Sequence, residues 1–205
     1  MKLFSLKTIA LFFSSIFIYS CSSEQNVNLV IDENFNSNRF RWPEENTRYH
    51  KIELANGKYN IEAKDSTRRT SVSRLNKTYL NQLKQNFTLT FKLDLLNRDL
   101  DFHSRAGIIL TCSSMEYKIF ITNESKILVT EELFSEKEEF ILLSESPEEG
   151  ITSSVQEITM VINGYNGRLL YKNNVIGEFK LKSKAIGNIR IFTSALTNVD
   201  FYHLK

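Results

Sequence analysis

The run Gln156–Phe179, Q-E-I-T-M-V-I-N-G-Y-N-G-R-L-L-Y-K-N-N-V-I-G-E-F, decides the fold class. Ile158, Met160 and Ile162 fall at every second position, the period of a strand with one buried face. A tight turn at Asn163-Gly164-Tyr165-Asn166-Gly167 leads into a second strand, Arg168–Tyr171. A second turn, at Asn173-Asn174, leads into a third strand from Val175. Asn and Gly accept positive φ, which two-residue hairpin turns require. Three strands on two short turns form an antiparallel meander, so the chain is predicted to be all-β.

The same pattern extends outward on both sides. In Asn86–Leu95 the residues Phe87, Leu89, Phe91, Leu93 and Leu95 occupy one face, with Thr88, Thr90, Lys92 and Asp94 on the other. Ala106–Cys112 is more continuously apolar and is predicted to be a central strand. Further strands are predicted at Leu29–Phe35, Tyr49–Leu54, Lys58–Ala63, Met115–Thr122, Lys126–Leu133, Phe140–Leu143, Gly187–Thr193 and Val199–Leu204. Asn56-Gly57 joins two of them as a hairpin, whereas Leu75–Leu83 reads as either strand or a short helical turn. About a dozen short strands, with turns every 8–12 residues or so, describe a β-sandwich or barrel.

The start of the chain reads as a delivery signal. Met1–Lys7 carries Lys2 and Lys7, Thr8–Tyr19 is apolar, and Ser20-Cys21 follows. A basic end, a short apolar run and a small residue before the cut define a secretory leader. The run is shorter than the roughly 20 apolar residues of a membrane span. Ile18-Tyr19-Ser20-Cys21 resembles the lipobox of bacterial lipoproteins. By that resemblance residues 1–20 are removed, Cys21 is lipidated, residues 21–28 form a flexible tether, and 29–205 form the folded domain. Ser22 after Cys21 resembles the case sorted to the outer membrane of the cell envelope, so the expected partner at this end is a membrane, held through lipid.

The remaining totals exclude several classes. The chain holds 26 Lys+Arg and 24 Asp+Glu, and loss of Lys2 and Lys7 with the leader brings the two to balance. A nucleic-acid binder would show a basic excess, so none is expected as partner. Of two cysteines, Cys21 is assigned to lipid, which leaves Cys112 without a disulfide partner and reads it as a buried apolar residue. His50, His103 and His203 lack ligand spacing, and there is no Gly-rich phosphate loop or G-x-S-x-G elbow, so neither metal nor cofactor is expected.

A family resemblance enters with several motifs in order. Phe35 followed by Trp42-Pro43, the hairpin Asn56–Glu62, the strand Phe87–Leu93, Ala106-Gly107-Ile108-Ile109, the meander Ile158–Val175, Ile186-Gly187-Asn188-Ile189 and Asp200–Lys205 are similar to the concanavalin A-like lectin/glucanase sandwich. More narrowly they resemble the laminin-G-like and 3-keto-disaccharide hydrolase-like jelly rolls of Bacteroidota lipoproteins. The resemblance implies a jelly-roll β-sandwich of two antiparallel sheets. The glucanase branch of that superfamily carries E-x-D-x-E on one strand, and no such run exists here. Carboxylates gather instead at Asp94, Asp99 and Asp101, which read as solvated loop charge, and at Glu131-Glu132.

The expected role is therefore a non-catalytic glycan-binding or interaction module on the envelope. A glycoside-processing hydrolase and a structural protein-docking domain are the alternatives. Sugar sites stack exposed rings on pyranose faces and fix hydroxyls with polar groups. Trp42, Tyr49, Tyr117 and Tyr165 are the candidate rings, with Arg41, His103 and Arg105 as polar partners. Trp42 also reads as an edge-capping core residue.

Overall fold

The computed structural model describes residues 32–38, 40–66, 70–72, 86–96, 104–112, 114–124, 126–134, 139–146, 155–182 and 188–205. Fourteen strands are present among them. They are β1 (Glu45–Asn46), β2 (His50–Ala55), β3 (Lys58–Ala63), β4 (Thr70–Val72), β5 (Asn86–Leu95), β6 (Arg105–Cys112) and β7 (Met115–Thr122). The chain continues with β8 (Ile127–Leu133), β9 (Glu139–Glu145), β10 (Val155–Asn163), β11 (Asn166–Tyr171), β12 (Asn174–Lys180), β13 (Asn188–Thr193) and β14 (Asn198–Leu204). They build an eight-stranded sheet in the order β1-β2-β3-β14-β5-β10-β11-β12 and a six-stranded sheet in the order β4-β13-β6-β7-β8-β9. Every pairing is antiparallel, the jelly-roll β-sandwich the sequence predicts.

The Gln156–Phe179 meander is β10-β11-β12, with two adjustments. Its first turn is the pair Gly164-Tyr165, and Gly164 has φ +61° while Tyr165 does not turn left-handed, so a glycine leads the turn. Its second turn is Lys172-Asn173, both left-handed at φ 47° and 68°, one residue earlier than the sequence suggests. The predicted β5 alternation holds, with Leu89, Phe91, Leu93 and Leu95 all buried. The predicted first strand reduces, among the described residues, to the single bridge Glu33–Leu204. That bridge ties the start of the domain to the end of β14, and His203 bonds Asp32 beside it at 2.6 Å.

The core between the sheets takes one face of the longer strands. Trp42 belongs to it at 2% exposure, which corrects its candidacy as a sugar platform in favour of the core reading. Its ring packs on Phe35 and Tyr59 at centroid distances of 5.8 and 5.3 Å. The indole Nε1 donates to buried Glu33 Oε2 at 3.3 Å, while Glu33 Oε1 accepts from the Phe35 amide at 2.8 Å. Asn38 clasps the Trp42 backbone, its Nδ2 donating to the Trp42 carbonyl at 2.8 Å. The Phe35…Trp42-Pro43 motif is thus a plug that seals the start of the domain, and a buried indole needs such a partner.

Candidate functional site

The outward face of the six-stranded sheet carries an arrangement that a simple sandwich does not need. On β7, Met115, Tyr117, Ile119 and Ile121 point into the core, so Glu116, Lys118 and Phe120 point out. Register then fixes their neighbours. Glu116 stands opposite Glu132, and Glu132 opposite Glu139, so one row of carboxylates crosses β7, β8 and β9. The next row holds Arg190 opposite Ile109, then Lys118 opposite Thr130. The row beyond is apolar, with Phe192, Gly107, Phe120 and Leu128 in succession.

These rows are bonded to each other. The Lys118 ammonium donates to Glu132 and, at 3.4 Å, to Glu139 Oε1. Thr130 Oγ1 donates to the same Glu139 oxygen at 2.6 Å. Arg190 Nη2 bonds Glu116 and reaches Thr111 Oγ1 at 3.4 Å. Arg105 lies 5.3 Å over the Phe120 ring, and its Nη1 comes within 3.6 Å of Glu139 Oε2. Between β6 and β9 lie three strand spacings of about 4.8 Å, and Arg105 stands six residues along β6 from Thr111, which shares Glu139's row, so a flat sheet would hold the two about 25 Å apart. The Arg105–Glu139 contact therefore requires the sheet to curl toward this side, as a twisted sheet does along one diagonal. The face is concave. Exposure grades across it, from 4% for the Lys118 side chain to 41% for Arg105.

Burial makes the pairing obligatory. An ion taken from water without a partner costs several kcal/mol, so Lys118 between two carboxylates is a strongly tied centre. Phe120 and Phe192 meet edge to face at 5.9 Å and 81° beside it, a satellite core of buried rings on the outward side. Gly107 separates them in the row. A side chain there would strike the Ile119 carbonyl and the Phe120 Cα, so only glycine lets β6 and β7 close up behind the rings.

The residues singled out from sequence do not converge. Arg105 belongs to the concave face. Tyr117 points the other way and is fully buried, which corrects its candidacy; its hydroxyl accepts from the Lys182 amide at 2.6 Å and donates to Met115 sulfur at 3.7 Å. Tyr49 is half-buried before β2, its ring covered at 4.4 Å by the Arg48 guanidinium. Tyr165 is 48% exposed at the β10–β11 turn. The strands β2 and β10 are four places apart in their sheet, about 19 Å at about 4.8 Å each, so these two rings cannot share one sugar. Arg41 is exposed, in a left-handed residue at φ 55°, its amide donating to the Asn38 carbonyl at 3.0 Å. His103, Asp99, Asp101 and Cys21 lie outside the described residues.

Glu131 and Glu132 prove not to be a cluster. Glu132 joins Lys118 outside, whereas Glu131 turns into the sandwich and is held by the Lys182 ammonium. Cys112 is buried, and that burial pushes its thiol up to about 11. No group of three or more His, Cys, Asp or Glu able to hold a metal occurs among the described residues. A cleft of about 480 Å³ opens at one end of the eight-stranded sheet, lined by Glu62, Lys64, Leu96, Leu196, Thr197 and Asn198.

No protein-family model and no curated protein sequence matches the chain. Solved structures do resemble it in fold. The GH43 protein BlXynB from Bacillus licheniformis aligns with TM-score 0.56 and 14% identity over 85% of this chain. A structure from work on cell entry of botulinum neurotoxin type C aligns with TM-score 0.54 and 14% identity over 80% of this chain. The chain spans 38% and 42% of those two proteins. A structure from work on endo-acting O-glycanases of human gut bacteria aligns with TM-score 0.55 and 8% identity, covering 85% of this chain and 88% of that one. At these identities the likeness is one of fold alone, a β-sandwich.

Proposed function

We propose that the chain is an envelope-anchored, glycan-binding lipoprotein module whose ligand face is the concave side of the six-stranded sheet. The observation that carries this reading is the convergence on one curled face of charged groups from β6, β7, β8, β9 and β13, bonded to each other and graded from buried to open. Planar guanidinium and carboxylate groups fixed in this way suit the paired hydroxyls of a sugar, and preformed polar groups bind with less ordering. Arg105, Glu139 and Arg190 sit at the open rim as ligand contacts, and Lys118 with Glu132 positions them. The fold's occurrence in a GH43 protein, in a neurotoxin whose cell entry depends on two ganglioside molecules, and in work on O-glycanases of mucin breakdown supports the glycan class.

Lipid on Cys21 is the anchor this reading assigns, with residues 21–28 as tether and the outer membrane as the site. The geometry of the domain suits it. The tether joins beside the Glu33–Leu204 bridge, whereas Arg105 exchanges backbone and hydroxyl bonds with Ser194 at the opposite end of β14. Six steps along β14 are about 20 Å, so the rim of Arg105 lies far from the attachment point.

A second reading, glycoside hydrolysis, draws on the register of Glu116, Glu132 and Glu139, since carboxylates on adjacent strands stand near the spacing that glycosidases use. A glycan array with the purified protein and its Arg105→Ala variant, followed by a reducing-sugar assay on every bound glycan, tests both. Binding lost in the variant without reducing-sugar release supports the module. Release that Glu139→Gln abolishes would replace it by the enzyme, and the absence of any binding would overturn both.

A further inference from the structure

We infer that the glycan taken by the concave face carries an anionic group, a carboxylate or a sulfate ester, and that Arg105 reads it. This inference rests on the glycan-binding reading above and narrows its ligand class. Its basis is the hydrogen-bonding capacity this face leaves unused.

A guanidinium has five N–H donors. Among the described residues, that of Arg105 makes one ion pair, to Glu139 Oε2 at 3.6 Å, which is too long for a hydrogen bond. Its Cζ lies 5.3 Å from the centre of the Phe120 ring, and 41% of the side chain is open to solvent. Glu139 does not depend on Arg105, because its other oxygen accepts from Thr130 at 2.6 Å and from Lys118 at 3.4 Å. An incoming anion can therefore take the Arg105 fork while Glu139 stays paired.

Arg190 repeats the pattern on the neighbouring strand. Its Nη2 serves Glu116 and Thr111, while its Nε is buried with no hydrogen-bond partner. An Nε closed to solvent in this way takes no ligand without a shift of the side chain, so Arg105 carries the contact. A neutral hydroxyl both gives and takes a hydrogen bond, and Lys118 and Thr130 already donate to the carboxylates around them, while Thr111 accepts from Arg190. The open donors on this face are those of Arg105, whose contact with Glu139 is an ion pair too long for a hydrogen bond. A carboxylate or sulfate is the ligand group made wholly of acceptors, and bidentate pairing with a guanidinium is the geometry in which that match is strongest. Arg105 is also the more open of the two arginines, so contact begins there.

The test is an array of neutral glycans printed beside their uronate, sialylated and sulfated counterparts, probed with the purified protein and with Arg105→Gln, and followed by titration calorimetry on matched pairs. The expected result is tighter binding of an acidic member than of its neutral partner by about tenfold or more, with a loss on raising salt. Arg105→Gln brings the matched pair to within about twofold while the thermal midpoint of the protein is kept, since Arg105 lies at the open rim. Preference for the carboxylate arm or the sulfate arm then names the group. Equal binding of neutral and acidic partners, or a preference that survives Arg105→Gln, overturns the inference and leaves the module reading standing. Absence of binding across the array overturns both.

Discussion

The two outward faces of this sandwich are built from the same alternation and end in different physics. On the eight-stranded sheet the outward side chains form mostly local pairs, apart from Asp200, which takes both Lys58 and Asn60. Lys92 bonds Glu157 at 2.6 Å, Thr90 meets Thr159 at 2.9 Å, Lys58 bonds Asp200 at 2.9 Å, and Arg168 forks onto Glu178 at 2.9 and 3.0 Å. Most are open to water, where such pairs contribute little. On the six-stranded sheet the same residue types are sunk beside buried rings and share partners across three strands. A surface that needs only to be soluble has no use for the second arrangement. On this difference rests the proposal that the ligand face is on the six-stranded sheet.

The comparison breaks most readily at Lys118. Lys118→Ala leaves Glu132 and Glu139 without their shared cation and is expected to cost about 3–5 kcal/mol, read as the shift in urea unfolding. Unfolding unchanged by that substitution would mean the concave network is no more than solvated charge. Gly107→Ala should follow, at about 1–3 kcal/mol, because the backbone of β7 must move aside to admit a Cβ. On the other face, Arg168→Ala is expected to change stability by less than about 1 kcal/mol, despite its forked geometry, since both partners are exposed. A cost matching that of Lys118→Ala would erase the distinction between the faces.

The smallest expected effect is a matter of pH. Lys58 is held above its ordinary value of 10.5, first by its hydrogen bond to Asp200, then by one to Tyr202. The unfolded chain loses this proton before the folded one does, so the stabilisation is complete below about 10.5 and fades as pH rises through the raised value. Lys58→Met should therefore differ from the parent at neutral pH and converge with it in strong alkali, as unfolding curves across that range will show.

The strands were legible in the sequence because burial on one face writes itself as alternation. Lys58–Ala63, Asn86–Leu95 and Met115–Thr122 coincide with β3, β5 and β7 to the residue. The interior position of β6 followed from its continuous apolar run. The site was legible only in Arg105. Residues such as Glu116 and Lys118 show in sequence as the polar half of an alternating strand, which is also what any solvated face shows. What sets them apart is register, since Glu116, Glu132 and Glu139 lie on three consecutive strands and line up only through the pairing of β7, β8 and β9. Tyr117 misled in the opposite sense, whereas Trp42 follows its core reading and not its candidacy as a sugar platform. A ring in a polar loop or beside charges reads as exposed, yet a buried acceptor for Trp42 and a backbone amide for Tyr117 satisfy the polar end inside the sandwich.

The most direct measurement is amide chemical-shift mapping of the isotope-labelled protein during titration with an acidic glycan selected on the array. The account predicts shifts concentrated at Arg105, Thr111, Lys118, Thr130, Glu139 and Arg190, with Thr90, Lys92, Glu157 and Thr159 unmoved. Shifts centred on those four residues of the eight-stranded sheet, or on Tyr165 at its β10–β11 turn, would contradict it.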